Sequence, residues 1–205
     1  MDHGGRIVTH HHLMDILKKK IILASKSPRR HQLMREAGFH FDVKTREVDE
    51  SFPADMPVEE VAPWLAEKKA LACTDFLESD DHILLTSDCV VIVDGQIFNK
   101  PEDRDDARRM LSRLSDNKHT VVTGVCLLSK QKKRVFARSA DVYFHPLSPE
   151  EIDFYIDNYQ PYDKAGSYAI QEWIGLCKIK RIDGTYATIM GLPMDAVYEE
   201  LVEWS

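Results

Sequence analysis

Across 205 residues, 27 basic and 34 acidic side chains leave a formal net charge of -7, and 43% of the residues are hydrophobic. That is the balance of a globular chain able to bury a core, and it argues against a general nucleic-acid surface, so any anionic ligand must be held by a local basic cluster. Four scattered cysteines without a CxxC pair exclude a disulfide framework or zinc site and imply a reduced, cytoplasmic setting; no apolar run is long enough to span a membrane.

The first twenty residues carry His10, His11 and His12 and a lysine cluster, and read as a solvated N-terminal extension, residues 1–20, that need not be ordered. KKKIILAS reads as a first buried strand. A helix follows from Pro28 to Ala37, with Leu33, Met34 and Ala37 inward and Gly38 as its C-terminal cap. FHFDVKTREV reads as a second strand, and Val58 to Leu77 as a helix. HILLTSDCVVIVDGQIFNKP holds two strands around the Asp94-Gly95 turn. DRDDARRMLSRLSD then places Ala107, Met110, Leu111 and Leu114 at helical spacing.

HTVVTGVCLL and RVFARSADVYF pair across SKQKK. SPEEIDFYIDNY is a helix capped by Ser148, with Pro149 first and Glu151 closing a capping box. CKIKRIDGTYATIM reads as further strand, and Pro193 opens a last helix, PMDAVYEELVEW. The expected class is α/β, one extended sheet flanked by helices, in two lobes around a cleft.

The stretch LASKSPRR raises an electrostatic question. Ser27-Pro28 is a strong helix start, yet Arg29 and Arg30 follow on the end of the helix that already carries positive dipole charge. An anion resolves the conflict, because free N–H groups and the dipole point at the same place, and an arginine fork binds phosphate oxygens bidentately. Ser25 and Ser27 then become ligands beside the two arginines. The competing reading is a surface ion pair with Glu36 or Asp42.

Asp88 lies inside the apolar run ILLTSDCVVIV, where an unpaired carboxylate is costly, so a metal, a cation or a reacting water is expected beside it. Lys69 in AEKKA, Lys100 in NKP and Lys164 in YDKAGSY say little singly. With Asp88, Glu50 and the arginines they form the equipment for phosphoanhydride hydrolysis. In DKAGSYAIQ, the Ala165-Gly166-Ser167 run allows close backbone approach, while Tyr168 and Gln171 offer a ring and an amide suited to a base.

Together these stretches resemble the Maf family of nucleoside triphosphate pyrophosphatases. LASKSPRRHQLMREAG, VDE at Val48 to Glu50, AEKKA, SDCVV, NKPED, ARRMLSRLSD, HTVVTGV, DKAGSYAIQ and IMGLPM follow in the family's order, from about Ile21 to the C-terminus. The resemblance implies a long twisted mixed sheet in a single catalytic domain over residues 21–205, two lobes around a deep cleft, and a homodimer. It implies cleavage between the α and β phosphates with Mg²⁺ or Mn²⁺.

Residue by residue, Asp88 matches the proton acceptor. Ser25, Ser27, Arg29, Arg30, Glu50, Lys69 and Lys100 match the cluster around phosphates and metal, with Asp88 and Glu50 as the metal ligands. Arg29, Cys89 and Gln171 match positions linked to base selection. DKAGSYAIQ, with Lys164 and Gln171, resembles the branch acting on dTTP and UTP. Two positions depart from the pattern: Ser87-Asp88-Cys89 stands where Ala-Asp-Thr is usual, and Asp116-Asn117 where a glycine is usual. Two rival expectations are a sanitising pyrophosphatase for modified purine triphosphates and a nucleotide-binding regulator of cell division.

Overall fold

The computed structural model describes residues 10–204. Helix α1 (His10–Leu17) leads into strand β1 (Lys20–Leu23), helix α2 (Pro28–Glu36) and the short strand β2 (Phe41–Val43). Helix α3 (Val61–Leu71) precedes the long strand β3 (His82–Val93), which turns through Asp94-Gly95 into β4 (Gln96–Phe98). Helix α4 (Arg104–Leu114) is followed by the long pair β5 (Lys118–Leu128) and β6 (Lys133–Phe144). Helices α5 (Pro149–Tyr159) and α6 (Trp173–Lys178), strand β7 (Ile179–Asp183), and helices α7 (Tyr186–Met190) and α8 (Met194–Val202) complete the chain.

The strands form one seven-stranded mixed sheet in the order β2-β1-β3-β5-β6-β7, with β4 also on β3. β1 pairs in parallel with β2 and β3, and the remaining pairs are antiparallel. Helices cover both faces, so β3 and β5 are buried nearly throughout. The α/β class expected from the sequence is the class observed.

Several boundaries differ from the sequence reading, each for a local reason. Residues 1–9 of the expected extension lie outside the described residues, as do the side chains of His10 and His11. Residues 10–17 are helical, and Ile16 is 1% exposed against the core that holds Ile21 and Leu85. FHFDVKTREV forms a strand only over Phe41–Val43, because β2 is an edge and its partner β1 is four residues long. The expected helix from Val58 to Leu77 is α3 with a 3₁₀ turn at each side, Val58–Glu60 and Thr74–Phe76.

In CKIKRIDGTYATIM only Ile179–Asp183 is strand. Tyr186–Met190 is helical because Thr185 caps it, its hydroxyl accepting the Thr188 N–H at 3.1 Å. Gly191, at φ 108°, then closes that helix in a conformation reserved for glycine.

Candidate active site

The turn between β1 and α2 is held by its own side chains. Ser27 caps α2, its Oγ accepting the Arg30 N–H at 3.4 Å, and Pro28 takes the first helical position, where no N–H is needed. Ser25 Oγ accepts from the Ser27 N–H at 3.2 Å and from Arg30 Nη1 at 3.4 Å. His31 supports the turn through Nε2, 2.6 Å from the Ser25 carbonyl. A carbonyl only accepts, so that nitrogen carries the proton.

The surface ion pairs weighed for the arginines do not form among the described residues. Glu36 accepts from Gln32 at 2.8 Å instead, and Arg30 turns inward to donate through Nε to the Gly191 carbonyl at 2.6 Å.

β3 brings Asp88 to the middle of the sheet, opposite Gly124 on β5. Helix α3 lies directly over that glycine. A Cβ at position 124 would sit 2.3 Å from Pro63 N and 2.4 Å from Ala62 C, so the close approach requires glycine. Nearly two turns further along α3, Lys69 reaches Asp88, with Nζ 2.6 Å from Oδ1. The same ammonium lies 3.1 Å from Glu50 Oε1. Glu50 sits on the stretch 44–51, which has no regular structure and is fastened through Lys44–Glu78, Arg46–Asp75 and Lys68–Asp49.

These two carboxylates titrate in opposite directions. Burial pushes Asp88 up, and Lys69 and Arg30 only partly offset it. Burial acts on Glu50 as well, but Lys69, Lys100 and Arg30 outweigh it and hold that group below its ordinary value. Of two neighbouring carboxylates pushed apart in this way, Asp88 is the one that holds a proton more readily.

All these groups open on one cleft of about 1080 Å³. Every residue singled out from the sequence lines it: Ser25, Ser27, Arg29, Arg30, Glu50, Lys69, Lys100, Asp88, Cys89, Lys164 and Gln171. Successive strand residues face opposite sides, so Asp88 turns toward α3 while Cys89 turns toward the apolar wall of Val91, Val121, Tyr168, Ile170 and Ile189. Burial pushes the Cys89 thiol up, only partly countered by Thr123 and Arg30, so it is held as a neutral thiol. Lys164 is steered by Asp163 at 3.0 Å and Glu172 at 3.5 Å.

Among the described residues, no group of three His, Cys, Asp or Glu side chains is placed to hold a metal. The oxygen donors that do converge are Asp88 and Glu50, on a single ammonium.

Sequence reasoning passed over His31 and a clamp behind the site. Ser87 Oγ lies 2.9 Å from the Gly124 carbonyl and 3.0 Å from that of Gly191, which also accepts from Arg30. The glycine interrupting IMGLPM was the available signal. His119 was missed too. It is buried beneath the apolar wall, its Nε2 2.6 Å from Tyr168 Oη, with Phe144 packed edge-on against both rings.

Burial lowers His119 from 6.5 to about 3, so the folded protein keeps it neutral where the unfolded chain takes up a proton. Stability from this group is therefore full above 6.5 and is lost as pH falls toward 3. His119→Phe is expected to cost about 1–3 kcal/mol at pH 7, because the buried Tyr168 hydroxyl loses its partner. Its urea midpoint is also expected to fall less than wild type's between pH 7 and pH 4.5. Parallel acid sensitivity in the two proteins would show that this histidine is not the group being titrated.

A family model described as Maf-like protein matches residues 20–204. A relative from Porphyromonas gingivalis (strain ATCC 33277), named dTTP/UTP pyrophosphatase, is 46% identical over 94% of this chain and 98% of its own length. Relatives of the same name are 44% identical in Phocaeicola vulgatus, over 92% of this chain and 98% of theirs, and 45% identical in Bacteroides thetaiotaomicron, over 90% and 95%. Among solved structures, the Staphylococcus aureus Ham1 protein aligns at a TM-score of 0.42 and 16% identity, over 62% of this chain and 72% of that one. With the motifs in order and the match running almost from end to end, the chain belongs to the Maf family.

Proposed function

We propose that this chain hydrolyses nucleoside triphosphates, dTTP and UTP foremost, to the nucleoside monophosphate and pyrophosphate. The observation that carries the reading is the Asp88–Lys69–Glu50 chain beside the Ser25–Arg30 turn in one cleft. A polyphosphate accounts for two arginines at a helix N-terminus, of which Arg30 is only partly engaged by Gly191 and Ser25. The activity named for the relatives supports the choice of pyrimidine triphosphates.

In this mechanism the triphosphate lies along the turn, its charge met by Arg29, Arg30 and Lys100. Asp88 orients a water against the α-phosphorus and takes its proton; the bond to the bridging oxygen breaks, and that oxygen leaves with pyrophosphate. Lys69 holds Asp88 and Glu50 in register and faces the phosphates as a further cation. Cys89, Lys164 and Gln171 surround the base.

The donor set fits a hard divalent ion. Mg²⁺ and Mn²⁺ favour oxygen, and Mg²⁺ in particular keeps several waters and takes one or two carboxylates beside substrate phosphates, which Asp88 and Glu50 provide. When bound, such an ion neutralises phosphate oxygens and makes a coordinated water easier to deprotonate. A homodimer in the cytoplasm belongs to the same reading, supported by the family likeness and by the free thiols Cys73, Cys89, Cys126 and Cys177.

The test is pyrophosphate release from UTP, dTTP, ITP and 7-methyl-GTP, with Mg²⁺, with Mn²⁺ and with EDTA. The expected result is metal-dependent release with kcat/KM for UTP and dTTP about tenfold or more above the purines. Silence toward every triphosphate in the presence of metal overturns the reading.

A further inference from the structure

One part of the cleft wall is given no task by the mechanism above. Along one edge β3 pairs with β5 without a break from Leu84 to Ile92. Its other edge is divided between two short strands. β1 covers His82 to Leu85, β4 covers Val91 to Val93, and no strand covers residues 86–90.

The phase of the strand says which backbone groups face that gap. Ala24 N–H donates to the Leu85 carbonyl, so Leu85 turns its backbone groups away from β5. Alternate residues of a regular strand repeat the orientation, which brings the N–H and C=O of Ser87 and Cys89 to the open edge. Among the described residues none of these four groups has a hydrogen-bond partner. Both residues line the cleft, so the gap faces the ligand space. An unpaired strand edge is a ready template for a matching row of donors and acceptors.

What fits there follows from the neighbouring side chains. Val91, Val121, Tyr168 and Ile189 adjoin Cys89 and carry no charge, so that side of the cleft suits a flat neutral ring rather than a phosphate. Given the triphosphate reading of the cleft, on which this rests, we infer that the pyrimidine is read by the main chain of β3. The ring's N3–H donates to a carbonyl on the open edge and a ring carbonyl accepts the Cys89 N–H, as an added strand would. The Cys89 side chain then packs beside the ring while its N–H makes the hydrogen bond, so a thiol, weak as a hydrogen-bonding group, suffices there.

The experiment measures affinity for UMP and for 3-methyl-UMP by calorimetry in wild type, Cys89→Ala and Cys89→Ser, beside pyrophosphate release from UTP by wild type. Methylation at N3 is expected to weaken binding by about tenfold or more, the loss of a hydrogen bond with its partner left buried. Both Cys89 variants are expected to keep that ratio between UMP and 3-methyl-UMP within about threefold of wild type's, whatever their own affinity, since the main-chain pattern is unchanged. Binding of 3-methyl-UMP by wild type within about twofold of UMP overturns the inference, and so does loss of the N3 penalty in either folded Cys89 variant. The N3 penalty on binding with no pyrophosphate release from UTP would instead sink the proposed activity and leave main-chain reading of the base standing.

Discussion

Asp88→Asn is expected to lower kcat for pyrophosphate release from UTP by about 10²–10⁴-fold, the range that a positioned general base contributes. Its thermal midpoint at pH 7 is expected to stay level or rise. The sign follows from the direction of the shift. Burial raises Asp88 above its ordinary 3.8 in spite of Lys69 and Arg30, so ionising it costs the folded state more than the unfolded one. Stability tied to the protonated form is present below the unfolded value and lost as pH rises through the folded one. An amide of the same shape escapes that loss and leaves Lys69 its contact with Glu50.

The same shift sets the acid limb of the wild-type rate profile. Activity is expected to rise with pH through the raised Asp88 value, and the residual activity of the amide variant to lack that limb. A variant within tenfold of wild-type kcat, or one markedly less stable at pH 7, would show that Asp88 is a structural carboxylate and not the base.

Gly124→Ala is expected to cost about 3 kcal/mol or more, at the upper end for overpacking, because the new methyl meets backbone rather than a yielding side-chain tip. The atoms in the way are Pro63 N and Cα and Ala62 C, all within 2.4 Å of the added carbon. Relief comes only if α3 lifts from the sheet, and lifting it draws Lys69 from Asp88. Activity per folded molecule should therefore fall too, by about 10²-fold for a displacement near 1 Å. Urea unfolding followed by kcat on the folded fraction separates the two effects. Unfolding within about 1 kcal/mol of wild type, with kcat retained, would mean the helix has slack that the geometry denies.

How much of this was legible beforehand depended on whether the signal was local. Ser27-Pro28, the Ser148 capping box and Asp94-Gly95 each bring their own hydrogen-bond partner within a few residues, and all three elements stand where the sequence put them. YATIM failed for a related reason: it was read as one strand with the residues before it, while the deciding contact is the Thr185 hydroxyl one residue upstream of the helix. The residues singled out from the sequence line one cleft, yet their partners were not readable.

Nothing in AEKKA says which of Lys68 and Lys69 meets Asp88, because that depends on how closely α3 lies on β5. Glycine at 124 decides it, some fifty-five residues away in the chain. Arg30 held a similar surprise. Its Nε is bound to Gly191, 161 positions along the chain, so part of its fork is already engaged before any phosphate arrives.

The stretch 44–51 has a consequence for when the site is complete. Asp88 is held by the hydrogen-bond ladder of a central strand, which opens only when the fold does. Glu50 is held by a strap whose ties, Lys44–Glu78, Arg46–Asp75 and Lys68–Asp49, are side chains in contact with solvent. Such ties weaken with dissolved salt. The two carboxylates are therefore held by different means: Asp88 by a ladder indifferent to salt, and Glu50 by ion pairs whose strength the ionic strength of the medium sets.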